Sequence, residues 1–230
     1  MIRLHITAEG QTEERFVNKL MVSLLSRSSV FPNVRCVLTS RKKRTKREYR
    51  GGFRAHCAYP TVRKDIISWI AEDNNRECRF TTMFDLYALP EDFPGKVEAN
   101  RQSDPYEKVS IIEKALGDDI GDRRFIPYIQ LHEFEALIFS EPGQLAIEYF
   151  GYESGIANLN GMLKNVGGNP ELLDDGYETC PSRRIIQEIP DYDKANAGII
   201  VAEKIGLARM RSKCRHFNDW LTKLEELKSS

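Results

Sequence analysis

The stretch Ile2-Arg3-Leu4-His5-Ile6-Thr7-Ala8-Glu9-Gly10-Gln11-Thr12-Glu13-Glu14-Arg15-Phe16-Val17 decides how the rest of the chain is read. Ile2, Leu4 and Ile6 alternate with Arg3, His5 and Thr7, the period of two expected of a strand with one buried face. Gly10 breaks that pattern. From Glu13 onward Phe16, Val17, Leu20, Met21, Leu24 and Leu25 recur at helical spacing. A strand therefore feeds a helix through the tight turn Ala8-Glu9-Gly10-Gln11-Thr12, the opening unit of an α/β fold.

The alternation continues outward from there. Val34 to Thr39 predicts a second strand, and Val62, Ile66, Trp69 and Ile70 a second amphipathic helix. Arg79 to Leu89 predicts a third strand with Asp85 near its end, and Tyr106, Val109, Ile112, Ala115 and Leu116 mark a third helix. Phe125 to Leu131 predicts a fourth strand, which Pro127 assigns to an edge or a bulge. The expected fold is α/β, a mostly parallel sheet flanked by helices on both faces. Beyond His132 the strand signals fade. Phe134, Leu137 and Ile138 suit a helix, Pro142 can open another, and 181–189, 194–205 and 217–227 suggest more. The expected division is an α/β domain over 1–140, with a basic loop at 40–54, and a helical C-terminal lobe over 141–230 packed on it.

Composition narrows the function classes. The 230 residues, 41% hydrophobic and 10% aromatic, suffice for one sizeable core and argue against disorder. Thirty-four basic residues balance thirty-four acidic ones, so any nucleic-acid signal must be local. No apolar run approaches the ~18–20 residues of a membrane span, and the first residues read as a strand without the apolar block of a signal peptide. A cytoplasmic protein without membrane contact is expected. The five cysteines are scattered and form no Cys-x-x-Cys pair, which excludes a zinc ribbon and predicts reduced, mostly buried thiols.

In open α/β sheets ligands collect at the carboxyl ends of the strands, and acidic residues map there. Glu9 follows the first strand, Asp85 ends the third, and Glu133 and Glu135 follow the fourth; Glu13, one helical turn after Glu9, can face the same crevice. Gathered carboxylates raise one another's pKa unless a hard cation neutralises them, and Mg²⁺ or Mn²⁺ is the natural candidate. Each acid also has a purely structural use. Glu13 and Glu14 suit the first turn of a helix, Asp85 can be satisfied by an arginine, and His132-Glu133-Phe134-Glu135 can be a surface helix start.

Residues 40–54 hold eight Lys or Arg against one Glu: Arg41, Lys42, Lys43, Arg44, Lys46, Arg47, Arg50 and Arg54. Such an exposed loop or β-ribbon can neutralise several phosphates, while Tyr49 and Phe53 can stack on unpaired bases; it can also be an ordinary solvated loop. There is no Gly-x-Ser-x-Gly elbow, no phosphate-binding loop and no dinucleotide fingerprint. Nucleotide hydrolysis is therefore not expected of this chain, and any energy source must be a partner.

Ala8-Glu9-Gly10-Gln11-Thr12-Glu13-Glu14-Arg15-Phe16-Val17 resembles the opening motif of TOPRIM (topoisomerase-primase) domains. Asp85-Leu86-Tyr87-Ala88-Leu89-Pro90, Asp92-Phe93-Pro94-Gly95 and Gln130-Leu131-His132-Glu133-Phe134-Glu135-Ala136-Leu137-Ile138-Phe139-Ser140 are similar to signature blocks of a TOPRIM-like bacterial family of unknown function, number 4276. Cys180-Pro181-Ser182-Arg183-Arg184 and Tyr192-Asp193-Lys194 resemble its later blocks. The resemblance implies divalent metal on Glu9 and Asp85 and phosphodiester chemistry like that of TOPRIM nucleases. Relatives among the overcoming-lysogenization-defect nucleases pair such a domain with an ATPase, which implies a separate ATPase subunit here, in phage defence. TOPRIM domains usually carry Asp-x-Asp at the third strand, whereas this chain has Asp85-Leu86-Tyr87. Either Glu133 or Glu135 supplies the lost ligand, or the domain merely binds nucleic acid or regulates an ATPase. On the nuclease reading Glu9, Asp85, Glu13, Glu133 and Glu135 form the metal site, with His132 or Lys194 as proton donor or charge stabiliser.

Overall fold

The computed structural model describes residues 1–42, 47–53, 57–173, 176 and 179–228, with backbone alone at 41, 42 and 47. Strand β1 (Ile2–Ala8) turns at Gly10 into α1 (Gln11–Phe16), which runs on through a π-helical turn at Val17–Met21 into α2 (Val22–Arg27). Then follow β2 (Val30–Cys36), the short strands β3 (Leu38–Lys42) and β4 (Arg47–Arg50), α3 (Tyr59–Glu72) and β5 (Cys78–Asp85). Helices α4 (Lys96–Ala99) and α5 (Pro105–Ile120) lead to β6 (Phe125–Ile126) and β7 (Ile129–Gln130). The remainder is helical: α6 (Glu135–Ile138), α7 (Glu153–Asn165), α8 (Pro181–Glu188), α9 (Ala197–Lys213) and α10 (Arg215–Glu225).

The main sheet runs β2-β1-β5-β6, with β7 also on β5, and every pair in it is parallel. The fold class is the expected one. Pro127 separates β6 from β7, because its missing N–H cannot join the ladder, and both pieces lie beside β5 at the sheet margin. At the other margin β2 carries Pro32 opposite Leu4, with Phe31 44% exposed beside it. The predicted second strand, 34–39, is divided between the sheet and the ribbon, with Val37 between β2 and β3.

Two apolar layers cover the sheet. Ile2, Leu4, Ile6 and Val30 pack with Phe16, Val17, Met21 and Leu25 and with C-terminal residues such as Leu159, Ile185, Val201 and Phe217 in one cluster. Phe80 and Phe84 of β5 pack with Val62, Ile66, Val109 and Ile112 of α3 and α5 in the other. Strand β1 is therefore buried on both faces, which corrects the one-sided reading of its alternation. His5 and Thr7 point into the second layer, where His5 lies 4.9 Å from both the Trp69 and Phe80 rings and its Nε2 is 2.9 Å from Asp73. A polar residue is tolerated there because it is partnered.

Local chemistry explains the element boundaries. The Asp104 carboxylate accepts from Tyr106 N–H, Pro105 fills the first turn of α5, and Gly121 closes that helix in the left-handed region. The C-terminal helices are fastened through Glu171, whose carboxylate accepts from His216 N–H and Phe217 N–H at the start of α10, both at 3.0 Å, and from the Tyr106 hydroxyl at 2.9 Å. Trp220 of α10 donates from Nε1 to Thr81 Oγ1 and lies flat against Tyr128 at 4.0 Å. None of the five cysteines is in a disulfide, and four of them are buried. No described helix is long and apolar enough to cross a membrane.

Because Glu171 satisfies three donors at once, Glu171→Ala should lower unfolding stability by about 3 kcal/mol in chemical denaturation. Tyr106→Phe, which removes one of the three, should cost about 1 kcal/mol.

Candidate functional site

Register brings the acids together. Ala8 lies opposite Met83, and Asp85 lies opposite Gln130, so the residues that follow β1, β5 and β7 emerge on one rim at the carboxyl ends of the strands. Glu9 N–H donates to Met83 O at 2.9 Å, and Asp85 N–H donates to Glu9 Oε2 at 2.9 Å. The Glu9 carboxylate thus receives a backbone N–H at the point where two parallel strands end. Glu13 bends back so that Oε2 accepts from Gly10 N–H at 2.8 Å. It caps its helix, the structural use weighed for it, and its charge also reaches Glu9.

The fourth strand supplies the rest. His132 takes a left-handed φ of 63°, uncommon for a residue with a side chain, and this reversal separates β7 from α6. Its Nε2 lies 3.0 Å from Glu171 O, which spends that nitrogen on fastening the helical region. Glu133 is held by Ser182, through the backbone N–H and through Oγ at 3.1 Å, at the start of α8. Glu135 is fully buried and pairs with Lys194 Nζ at 2.8 Å, and the same ammonium stands 3.7 Å from Asp85 Oδ2. The counter-charge weighed for Asp85 is a lysine, not an arginine.

Burial dominates the electrostatics, and crowding adds to it. Burial, then the charge of Glu13, pushes the Glu9 carboxyl up to about 8. Burial and the neighbouring Glu9 raise Asp85 well above the usual carboxylate range. Burial lifts Glu135 to about 7 against the pull of Lys194. Burial alone would discharge Lys194, but Glu135, Asp85, Glu13 and Glu133 outweigh it and hold the ammonium charged. Asp85 Oδ1, Glu135 Oε1 and the Tyr192 hydroxyl are buried without a hydrogen-bond partner.

Unpaired hard oxygen donors and an excess of negative charge suit a divalent cation in kind. Their present spacing is not that of a finished site, since no three His, Cys, Asp or Glu side chains among the described residues are grouped to hold a metal ion. Lys194 fills the cationic role between Asp85 and Glu135.

The glycine pair that follows the basic ribbon meets the same rim. β3 and β4 pair antiparallel as a separate ribbon. Its end is tied down by Gly51 N–H to Val37 O and Gly52 N–H to Glu9 O, both at 2.8 Å. The φ values of Gly51 and Gly52, 88° and 68°, explain the glycine pair. Lys43, Arg44, Lys46 and Arg54 lie outside the described residues, and the side chains of Arg41, Lys42 and Arg47 are not described. Arg50 is corrected from a phosphate contact to a structural residue. Its guanidinium grips Asp65 through Nη1 at 3.0 Å and Nη2 at 3.1 Å and donates to Cys36 O, pinning the ribbon to α3.

Sequence reasoning missed Ser182 and Tyr192 as parts of this neighbourhood. Pro181 in the first turn of α8 was the available signal for Ser182, since the open N–H groups of a helix start attract a carboxylate. Asp65 gave no signal, being one polar residue on an amphipathic helix.

A carboxyl group that is more basic when folded than when unfolded binds extra protons in the native state, so stability falls as pH rises between the two pKa values. For Glu9 that window runs from 4.5 to about 8. Melting temperature in chelator should therefore decline across pH 5–8, and the decline should be shallower in Glu9→Gln.

Comparison with curated proteins and with solved structures returns no significant match. The family described as "Domain of unknown function (DUF4276)" matches residues 8–225, nearly the whole chain and all the residues of the rim, and the chain belongs to that family.

Proposed function

We propose that the chain is a divalent-metal-dependent nuclease of TOPRIM type, acting on nucleic-acid phosphodiesters. The observation that carries this reading is the buried carboxylate pair Glu9 and Asp85, joined through a backbone N–H at the strand ends and raised in pKa by burial and then by crowding. A fold that concentrates carboxylates where their charge is unfavourable has a use for positive charge at that place. The sequence carries a run of cations between the two ribbon strands, of the kind a phosphate backbone attracts, and the ribbon is tied at Gly52 to the Glu9 backbone.

Glu9 and Asp85 would hold Mg²⁺ or Mn²⁺, with Glu13 and Glu135 directly or through water. The ion would polarise the phosphate and lower the pKa of the attacking water. Glu133, occupied by Ser182, orients the segment that bears Glu135. Lys194, with roughly a third of its side chain open to solvent, stabilises negative charge at the phosphate. His132 serves position and not proton transfer, given its bond to Glu171 O. With no nucleotide-cradling motif in the sequence, a separate ATPase subunit supplies energy, and phage defence in the cytoplasm is the setting that the TOPRIM resemblance suggests.

Isothermal calorimetry of Mg²⁺ and Mn²⁺ binding, with cleavage of single-stranded and duplex DNA and RNA, tests this reading. Glu9→Gln and Asp85→Asn should abolish metal binding and lower cleavage by at least about a hundredfold, with unchanged circular dichroism. Cleavage at the wild-type rate by either variant would sink the mechanism.

A second reading is favoured by Lys194 itself, whose ammonium already serves Asp85 and Glu135. There the domain binds nucleic acid, or regulates an ATPase, without cutting. Lys194→Met separates the two. In chelator its melting temperature should fall, because removing the ammonium leaves buried like charges. On the metal reading Mg²⁺ should restore it, and on the binding reading it should not.

A further inference from the structure

A cleft of about 340 Å³ opens beside the rim, between Phe53 and Cys57 on one side and Ala88, Leu89, Pro90 and Asp92 on the other. Three relations link it to the carboxylate site. Phe53 N–H favours the charged Glu9 carboxylate, the charge of Glu9 reaches the Cys57 thiol, and Ala88 follows Asp85 by three residues in the 3₁₀ turn Leu86–Ala88.

Its lining selects against a phosphate. Glu91 and Asp92 make one margin acidic; Glu91 is paired with Lys96 Nζ at 2.9 Å, and Asp92 accepts from Tyr59 N–H at 3.0 and 3.2 Å. Phe53 and Cys57, the described residues of the opposite wall, carry no charge. The Phe53 ring is fixed edge-on against Phe84 at 5.0 Å, and burial keeps Cys57 a thiol. A carboxylate margin accepts N–H donors and repels anions, and an aromatic wall offers a face or edge to a flat ring. The volume is at the small end for ligand clefts, enough for one base and too small for a duplex.

We propose that this cleft is a nucleobase subsite: it takes one unpaired base next to the phosphate at the Glu9–Asp85 rim, with Phe53 as its aromatic wall, and so makes the substrate single-stranded. This rests on the nucleic-acid reading above and deepens it to a substrate class. It also uses Phe53, whose ring is held in place by Phe84. Flanking bases would then position the phosphate, and a duplex would be refused because its bases are already stacked and paired.

The test uses fluorescence anisotropy in chelator with three fluorescein-labelled 12-nucleotide DNA probes: a mixed-sequence single strand, a fully abasic single strand of the same charge, and the duplex. The wild type should bind the base-bearing strand about tenfold or more tightly than the abasic strand or the duplex. Phe53→Ala should bring the base-bearing strand down to the abasic level and leave abasic affinity unchanged, while Phe53→Trp keeps the preference. Ala88→Trp, which fills the cleft without removing the Phe53–Phe84 contact, should do the same as Phe53→Ala, and Phe31→Ala on the distant β2 margin should change nothing. Equal binding of base-bearing and abasic strands by the wild type, or a preference that survives both Phe53→Ala and Ala88→Trp, overturns the subsite. Failure of the wild type to bind any probe overturns both the subsite and the nucleic-acid reading, whereas metal binding in wild type and Glu9→Gln reports on the rim independently.

Discussion

The hydrogen bond from Asp85 N–H to the Glu9 carboxylate joins the backbone order of the sheet to the charge at its rim. Parallel pairing of β1 with β5 brings both strands to an end on the same side, so a carboxylate one residue beyond β1 meets the last residue of β5. An antiparallel arrangement would have put these two acids at opposite ends of the sheet. Once they are side by side, Glu13, Glu135 and Lys194 become parts of one electrostatic unit, and none of their protonation states can be understood alone.

That unit is costly. Desolvated like charges oppose folding, and a single ammonium does not balance five carboxylates. The surroundings offset part of the cost by assigning four of the five a donor: Asp85 N–H for Glu9, Gly10 N–H for Glu13, Ser182 for Glu133 and Lys194 for Glu135. Three of these donors come from segments that also shape the rim. The helical region, fastened by Glu171 and by the Trp220 contact, delivers Ser182 and Lys194 to it. The rim is thus completed by the last third of the chain, although its acids come from the first two thirds.

Much of this was legible because it rests on local periodicity. Ile2, Leu4 and Ile6, the helical spacing after Gly10, and the strand ending at Asp85 are short-range patterns, and the placement of acids at strand ends follows from parallel connectivity. What escaped depends on tertiary contact. Nothing local tells that His5 is covered by Trp69 and Phe80, so β1 read as one-sided. Helix α7 was missed because Gly155 and Gly161 and several asparagines dilute the apolar spacing of Ile156, Leu159 and Leu163, whose burial comes from neighbouring helices. Arg50 read as one cation in a run of eight, and only the fold reveals that Asp65 claims it. Lys194 was expected at the site beside the resemblance and not from spacing, which leaves no trace of its proximity to two acids over a hundred and some sixty residues away.

The margins of the sheet bear on how other macromolecules can approach. Pro32 interrupts the donor row of β2, and Pro127 breaks the opposite border into two-residue pieces. Neither border offers an uninterrupted ladder on which a foreign chain could template itself. Recruitment of a companion subunit by strand annexation is thereby disfavoured, as is edge-to-edge polymerisation at high concentration.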